Sequence, residues 1–544
     1  MDQTHSRSQG SYQELFKVNY SNPVKQKLKE RKPLITGAVR LPNPALAVIM
    51  AKAGVESILI DNEHFPFTDA DITDICRAVH AEGACCMIRV GQKNLNYIYR
   101  VMDMGVDGVL LPNVETSEEA QMIVDAVKYP PVGQRGCCPI TRGADYGVNL
   151  NVTEYYEKIN DSTIVAMMIE SKKGYENLDS IMAVKGIDYL CIGPSDFSGS
   201  YGKPGQAATD PEIKAAMADA YSRMIKAGYS VSGLAYTPEQ VRKVLADGRN
   251  VLNIGSDVQM LTAQFANHIS DVNAVMDELG IKRTDRPAEE KIRAKEPLAM
   301  PYLRIADPAC FEIAALSGIE LMVIDDEHYP FSDSQLINII RAVHGRGSKC
   351  LVRVHDKSKA FIGRILDMGA DGIVAPQVGS YEEVLSVVKA AKYGPVGNRG
   401  LCPITAGADY GFGHSAQEYA EAANKKTIVG IMVETKGAVE DIDRILSIPE
   451  LDYISVGPSD VSASYGLPGQ YDHPVVKEAM EKVWSKARAS HVAIAGQCYT
   501  KDKIAPVING GKSLLNIGSD VQYMIWGFTE KVKETRRIIE EFVR

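Results

Sequence analysis

At 544 residues the chain exceeds what one hydrophobic core normally holds, since cores stop growing near roughly 250–300 residues, so two domains or one large repeated unit are expected. A composition of 45% hydrophobic and 24% charged residues excludes disordered and collagen-like chains, and no apolar run reaches the roughly 18 residues a spanning helix needs. Lys+Arg 60 against Asp+Glu 69 gives a net charge of −9, which leaves no basic footprint for nucleic acid. The N-terminal MDQTHSRSQGSYQEL has no apolar signal core, so a cytoplasmic protein with a small-molecule partner is expected.

Residues 1–21 have no counterpart later in the chain and are read as a mobile N-terminal extension. From residue 22, short apolar runs alternate with amphipathic stretches, the pattern of βα units on a parallel sheet. Strands are predicted near 34–40, 56–61, 85–90, 107–112, 164–169, 187–193, 229–235 and 250–255. Eight strands in about 260 residues match a (β/α)₈ barrel. The doubly wound alternative lacks its G-x-G-x-x-G turn.

The chain then repeats itself. KYPPVGQRGCCPITRGADYG from Lys128 returns as KYGPVGNRGLCPITAGADYG from Lys392, identical at 16 of 20 positions. IDNEHFPF from Ile60 returns as IDDEHYPF from Ile324, and CIGPSDFSGSYG from Cys191 as SVGPSDVSASYG from Ser455. The offset is 264 residues until a one-residue slip before GQCYT, after which Asn253 corresponds to Asn516. Pro287 and Pro297 fall opposite Pro23 and Pro33, so the charged stretch around them is the leading helix of the second copy rather than a linker. Two tandem barrels are therefore expected, over 22–282 and 286–544, joined near Gly280 to Arg286.

In such a barrel the active face lies at the C-terminal ends of the strands, so polar residues closing each apolar run are the candidates. They are Asp61, Glu63 and His64 after ESILI, Arg89 after CCMI, Glu170 after TIVAMMI, and Pro194, Ser195 and Asp196 after DYLCIG. The second copy repeats them as Asp325, Glu327, His328, Arg353, Glu434 and Asp460. Glu170 and Asp196 suit a hard divalent cation, or alternatively cap the helices that follow them. Histidine shuttles protons near neutral pH, and arginine forks onto an oxyanion. Asp61, three residues before His64, is positioned to orient its imidazole. Asp103 and Asp367 support the site arginine or cap a helix, with capping preferred, while Arg135 and Arg399 either serve the site or pin a loop. The ten cysteines contain no CxxC, and Cys137, Cys138 and Cys402 have no nearby histidine to make a nucleophile.

On these motifs, IDNEH and IDDEH, the I-R-V strand end, KYPPVGQRG, the E-x-K-x-G strand end and GPSD, each copy resembles the HpcH/HpaI family of class II pyruvate aldolases. The resemblance implies two tandem (β/α)₈ TIM barrels of the phosphoenolpyruvate/pyruvate-binding type, with active sites near subunit contacts and helices exchanged between neighbours. It implies a divalent metal (Mg²⁺, Mn²⁺ or Co²⁺) on Glu170 and Asp196, and on Glu434 and Asp460. His64 and His328 become acid/base residues supported by Asp61 and Asp325, and Arg89 and Arg353 contact the pyruvyl oxygen. The segments Gly193-Pro194-Ser195 and Gly457-Pro458-Ser459 receive the substrate carboxylate. The partners implied are a 2-oxo acid, pyruvate or oxaloacetate-like, and an aldehyde or acyl acceptor. A homo-oligomer of fused barrel pairs follows.

Two departures bear on the acceptor. Met168 and Met432 replace the glutamine usual two residues before the metal-binding glutamate. A usual tryptophan is missing near Val39 and Leu303, where Arg40 and Arg304 follow and add a cation to each mouth. A metal-dependent lyase of 4-hydroxy-2-oxo acids is the leading expectation. Citrate-synthase-like condensation with acetyl-CoA, and a barrel that only braces the assembly, are the alternatives.

Overall fold

The computed structural model describes residues 22–148 and 150–543; the 1–21 extension expected from the sequence lies outside the described residues. In the first repeat, β1 (Leu34–Val39), β2 (Ser57–Asn62), β3 (Cys85–Val90), β4 (Gly108–Leu111), β5 (Ile164–Ile169), β6 (Tyr189–Ile192), β7 (Ser230–Leu234) and β8 (Val251–Ser256) form a closed parallel barrel. These are the apolar runs expected as strands, and they are buried because a helix layer covers their outer side. Leu34, Met87, Leu110, Ile164, Ala166 and Val251 fill the interior.

The helix Pro23–Lys29 is capped by Asn22 and contributes Val24 and Leu28 to that same core. Its Lys25 is buried, pairs with Asp188 and donates to the Thr163 carbonyl at 2.8 Å.

The second repeat runs β9 (Leu298–Ala299), β10 (Tyr302–Leu303), β11 (Leu321–Asp325), β12 (Lys349–Arg353), β13 (Gly372–Ala375), β14 (Ile428–Val433), β15 (Tyr453–Val456), β16 (Ala493–Gln497) and β17 (Leu514–Asn516). Its order places β10 beside β11 and β9 beside β17, so β9 and β10 are one broken first strand and the sheet closes through it. The break falls at Met300-Pro301, where proline lacks the N–H a continuous ladder requires; the first repeat has Gly37 there and an unbroken β1. The helix Ala288–Arg293 stands where the leading helix of this copy is expected, and its Ala288 and Ile292 join the second core. The one-residue slip lies between Gln206 and Pro211, which correspond to Gln470 and Pro474, in the loop before a long helix.

The compact units depart from the spans 22–282 and 286–544 at their last helices. Unit 1 holds residues up to Gln259 together with Met524–Arg544, and unit 2 holds Met260–Tyr523. In unit 1 the C-terminal helix buries Phe528, Val532 and Ile538, and Arg536 donates to the Gly54 carbonyl at 3.1 Å. In unit 2 the helix Asp257–Glu278 buries Leu261 and Phe265, and Phe265 meets Tyr523 edge-on at 4.9 Å. Each closing helix has one apolar stripe, and it is spent on the core of the opposite repeat. No helix among the described residues is long and apolar enough to cross a membrane.

Candidate active site

Asp61 and Arg89 are paired across β2 and β3, so both side chains rise from the same rung of the barrel. Both Asp61 oxygens are taken by guanidinium groups: Arg89 donates from Nε at 2.9 Å and Nη2 at 2.7 Å, and Arg40 from Nε at 3.2 Å. Arg89 also lies 3.1 Å from Glu63 and 3.9 Å from the Met168 sulfur. The second barrel repeats this. Asp325 accepts from Arg353 at 2.8 and 2.5 Å and from Arg304 at 2.9 Å, Arg353 lies 3.1 Å from Glu327, and Met432 takes the Met168 position at 3.5 Å.

This corrects one expectation. Asp61 and Asp325 do not orient the histidines, because two guanidiniums consume them. The carboxylate beside His64 is Glu63, at 3.6 Å, and beside His328 it is Glu327, at 3.7 Å. Both imidazoles are more than half exposed at the rim, and the buried Oε2 of each glutamate is the atom that lies 3.1 Å from the Arg89 or Arg353 guanidinium.

Glu170 closes β5 and is buried; Ser171, not Glu170, caps the next helix, accepting from Gly174 N–H at 3.1 Å. One Glu170 oxygen accepts the Asn113 backbone N–H at 2.8 Å, and Glu434 accepts from Gln377 N–H at 3.1 Å. Asn113 and Gln377 hold left-handed backbone, φ 49° and 48°, which turns each amide onto its glutamate. Burial pushes both carboxyls up to about 7, an effect reinforced by Glu63 and Asp196 in one barrel and by Asp460 and Glu327 in the other.

Gly193 and Gly457 have a steric reason to be glycine: a Cβ there would stand 2.1 Å from Glu170 Oε2 and 2.4 Å from Glu434 Oε1. Each glycine heads a short helix, Pro194–Ser200 or Pro458–Ser464, as an N-cap without a side chain. Asp196 and Asp460 therefore stand in the first turn instead of capping. Pro194 is half-buried and Ser195 exposed, and Ser459 Oγ lies 3.3 Å from the Tyr471 hydroxyl.

Other candidates fall away from this cluster. Arg135 is paired with Asp103 at 2.6 Å and lies over Tyr129 at 4.5 Å, and Arg399 matches it on Asp367 and Tyr393. Those arginines pin a loop, and the aspartates bind them rather than cap helices. All ten cysteines are free.

Sequence reasoning missed Asp257 and Asp520. Asp257 accepts the Arg40 and Leu41 backbone N–H groups at 3.0–3.1 Å, and Asp520 accepts those of Arg304 and Ile305 at 2.9–3.0 Å, fixing where each mouth arginine begins. The repeated NIGSDVQ carries the signal.

The model of the HpcH/HpaI aldolase/citrate lyase family matches residues 39–263 and again 298–526. The chain is 33% identical over 265 residues to a 2-keto-3-deoxy-L-rhamnonate aldolase of Salmonella gallinarum, a match covering 48% of this chain and 98% of that protein. Among solved structures, an HpcH/HpaI aldolase/citrate lyase family protein from Burkholderia cenocepacia aligns at 25% identity and TM-score 0.43, over 46% of this chain and 98% of that one. The citrate synthase SbnG aligns at 27% identity and TM-score 0.42, with the same coverage. The chain is thus a tandem duplication within the HpcH/HpaI aldolase/citrate lyase family, to which it belongs as an enzyme of the aldolase type.

Proposed function

We propose that each barrel cleaves and forms 4-hydroxy-2-oxo acids through the enolate of pyruvate or a close 2-oxo acid. The observation that carries this reading is the opposition, in one mouth, of a guanidinium fixed on a buried aspartate and a buried glutamate with a raised pKa. Arg89 is held by Asp61 and Glu63 and aims at an oxygen that gains negative charge. Preorganised donors of this kind lower the barrier because they need no rearrangement as charge develops.

The donor set fits a divalent cation. Glu170 has one oxygen on Asn113 and the other over Gly193, where a side chain is sterically excluded, and Asp196 in the first turn of the next helix adds a second hard carboxylate. Glu170 and Asp196, and Glu434 and Asp460, would hold a divalent ion such as Mg²⁺, Mn²⁺ or Co²⁺, which when bound supplies Lewis-acid polarisation of a 2-oxo carbonyl.

The chain's own residues do the rest. The backbone amides of Ser195 and Asp196 head a helix and are available to the substrate carboxylate. His64, at the rim beside Glu63, takes the proton of the C4 hydroxyl as the carbon–carbon bond breaks and returns it in synthesis. Met168 contributes only a weak sulfur acceptor to Arg89, so Asp61 and Glu63 carry its orientation.

The test is metal-dependent exchange of the pyruvate methyl protons for deuterium, with pyruvate release from 4-hydroxy-2-oxo acids. Glu170→Ala and Glu434→Ala are each expected to remove part of both activities, and the double variant all of it. Absence of exchange in the wild-type protein with added Mg²⁺, Mn²⁺ or Co²⁺ overturns the reading. Loss confined to one single variant assigns a bracing role to the other barrel.

A further inference from the structure

Three metal-ligating side chains converge at the start of β12, on the face of the second barrel opposite its candidate site. His344 stands in the last turn of the helix Asp333–Gly345, Cys350 is the second residue of β12, and Asp371 directly precedes β13. One imidazole nitrogen, the Cys350 sulfur and one Asp371 oxygen all lie within 4.8 Å of one another. Arg353 of the candidate site follows Cys350 by three residues, about 10 Å further along the strand. The two places are therefore separate.

The three groups are already held in place. The Cys350 backbone N–H donates to Asp371 Oδ2 at 3.0 Å, and His344 Nε2 lies 2.8 Å from the same oxygen. Lys349, 3.8 Å from Asp371 Oδ1, is closer to Glu289, at 2.6 Å. Cys350 is buried, whereas the His344 side chain is 41% exposed. A cation seated among them would have protein on one side and water on the other.

The first repeat carries the same residue types, His80, Cys86 and Asp107, without the convergence. Arg142 Nη2 lies 3.3 Å from His80 Nδ1, and its Nη1 donates to the Cys76 sulfur at 3.2 Å. Cys86 is hydrogen-bonded to Cys76. In the second repeat the places of Arg142 and Cys76 are taken by Ala406 and Ile340, which bring neither a competing cation nor a second thiol. Among the described residues this trio alone brings its ligand atoms so close together.

We propose that His344, Cys350 and Asp371 bind one zinc ion, with water in the fourth position. A sulfur and an imidazole suit zinc, whereas Mg²⁺ and Ca²⁺ take oxygen ligands. Tetrahedral zinc holds neighbouring ligand atoms roughly 3.5 Å apart, so His344 and Asp371 need part by less than about 1 Å to admit it. The ion would join the end of one helix to the starts of β12 and β13. This site is independent of the lyase reading, whose metal ligands are carboxylates at the other face.

Cobalt distinguishes the two kinds of site, because a sulfur ligand gives Co²⁺ an ultraviolet charge-transfer band that carboxylates do not. The full chain is stripped with a chelator and titrated with Co²⁺ in a Glu170→Ala, Glu434→Ala background, so that neither candidate active site holds the ion. The expected result is a sulfur band that saturates at a single Co²⁺ per chain and disappears when Zn²⁺ is added. Cys350→Ser is expected to abolish the band, and Cys86→Ser to leave it intact. His344→Ala changes a ring that is largely outside the core, and is expected to weaken Zn²⁺ binding about tenfold or more, read by competition with a chromophoric chelator. Three results overturn the proposal: no sulfur band, a band that survives Cys350→Ser and so belongs to another thiol such as the exposed Cys137 or Cys402, or Zn²⁺ affinity unchanged in His344→Ala.

Discussion

Each mouth sets two buried acids in opposite surroundings. Burial pushes Asp325 upward, but Arg353 and Arg304 together hold it below the ordinary aspartate value, whereas burial drives Glu434 up to about 7, with Arg353 offsetting that only in part. Asp325→Asn therefore leaves two guanidiniums without their counter-charge, and removing one partner of a buried pair typically costs roughly 3–5 kcal/mol. Denaturant unfolding of this variant is expected to show that loss, together with loss of pyruvate exchange in the second barrel. Gly193→Ala is the complementary experiment, because its methyl would overlap Glu170 Oε2 while leaving every charge in place. Moving a ligand in this way is expected to weaken divalent-ion binding or activity by roughly 10–100-fold, read by titration calorimetry with Mn²⁺, with little change in melting temperature. Asp257 supplies a pH signature. Burial raises it from 3.8 to about 6 even though the Arg40, Leu41 and Val258 amides stabilise its carboxylate. The folded state thus keeps this proton longer than the unfolded one, so the contribution is full below the unfolded pKa and is lost as pH rises through about 6. The melting-temperature difference between wild type and Asp257→Asn is expected to shift against the wild type across that window, and a pH-independent difference would contradict it.

At the scale of elements, the leading helix of each repeat is the floor of its barrel, and its buried side chains set its worth. Leu28→Ala removes a fully packed side chain that is 2% exposed, a change that typically costs 2–5 kcal/mol, and the loss is expected in hydrogen-exchange protection of β1–β8 while β11–β17 keep theirs. Ile292→Ala is expected to do the reverse. This floor was legible in the sequence because Pro287 and Pro297 mirror Pro23 and Pro33. The strands were legible because runs such as CCMIRV and TIVAMMI are apolar at nearly every position, as strands covered on both sides must be. The broken first strand of the second barrel was not, since Pro301 sits in an apolar stretch that reads as continuous. Nor was the partner of Asp61. Three-residue spacing brings His64 near it along the chain, but the pairing of β2 with β3 brings Arg89 nearer, and cross-strand register is invisible to local spacing.

For the whole molecule the consequential feature is that each compact unit combines chain from both repeats. A helix with one apolar stripe has the same pattern whichever core it covers, so the residues around Gly280 to Arg286 do not show the exchange, which only the family resemblance implies. Phe265 and Phe528 occupy corresponding places in NIGSDVQ-headed helices, and each is buried in the unit of the other repeat. Because unit 1 needs Met524–Arg544 and unit 2 needs Met260–Glu278, a cut between the repeats leaves each core built from both fragments. A site-specific protease cleavage introduced between Gly280 and Arg286 is therefore expected to give two fragments that co-elute as one species under native conditions and separate only in denaturant. Removing Met524–Arg544 instead strips Phe528, Val532 and Ile538 from unit 1. That truncation is expected to raise hydrogen exchange and proteolysis within residues 22–259 while unit 2 retains its protection. Nicked fragments that part without denaturant, or a truncated chain whose first barrel stays as protected as before, would show that each repeat closes on its own last helix.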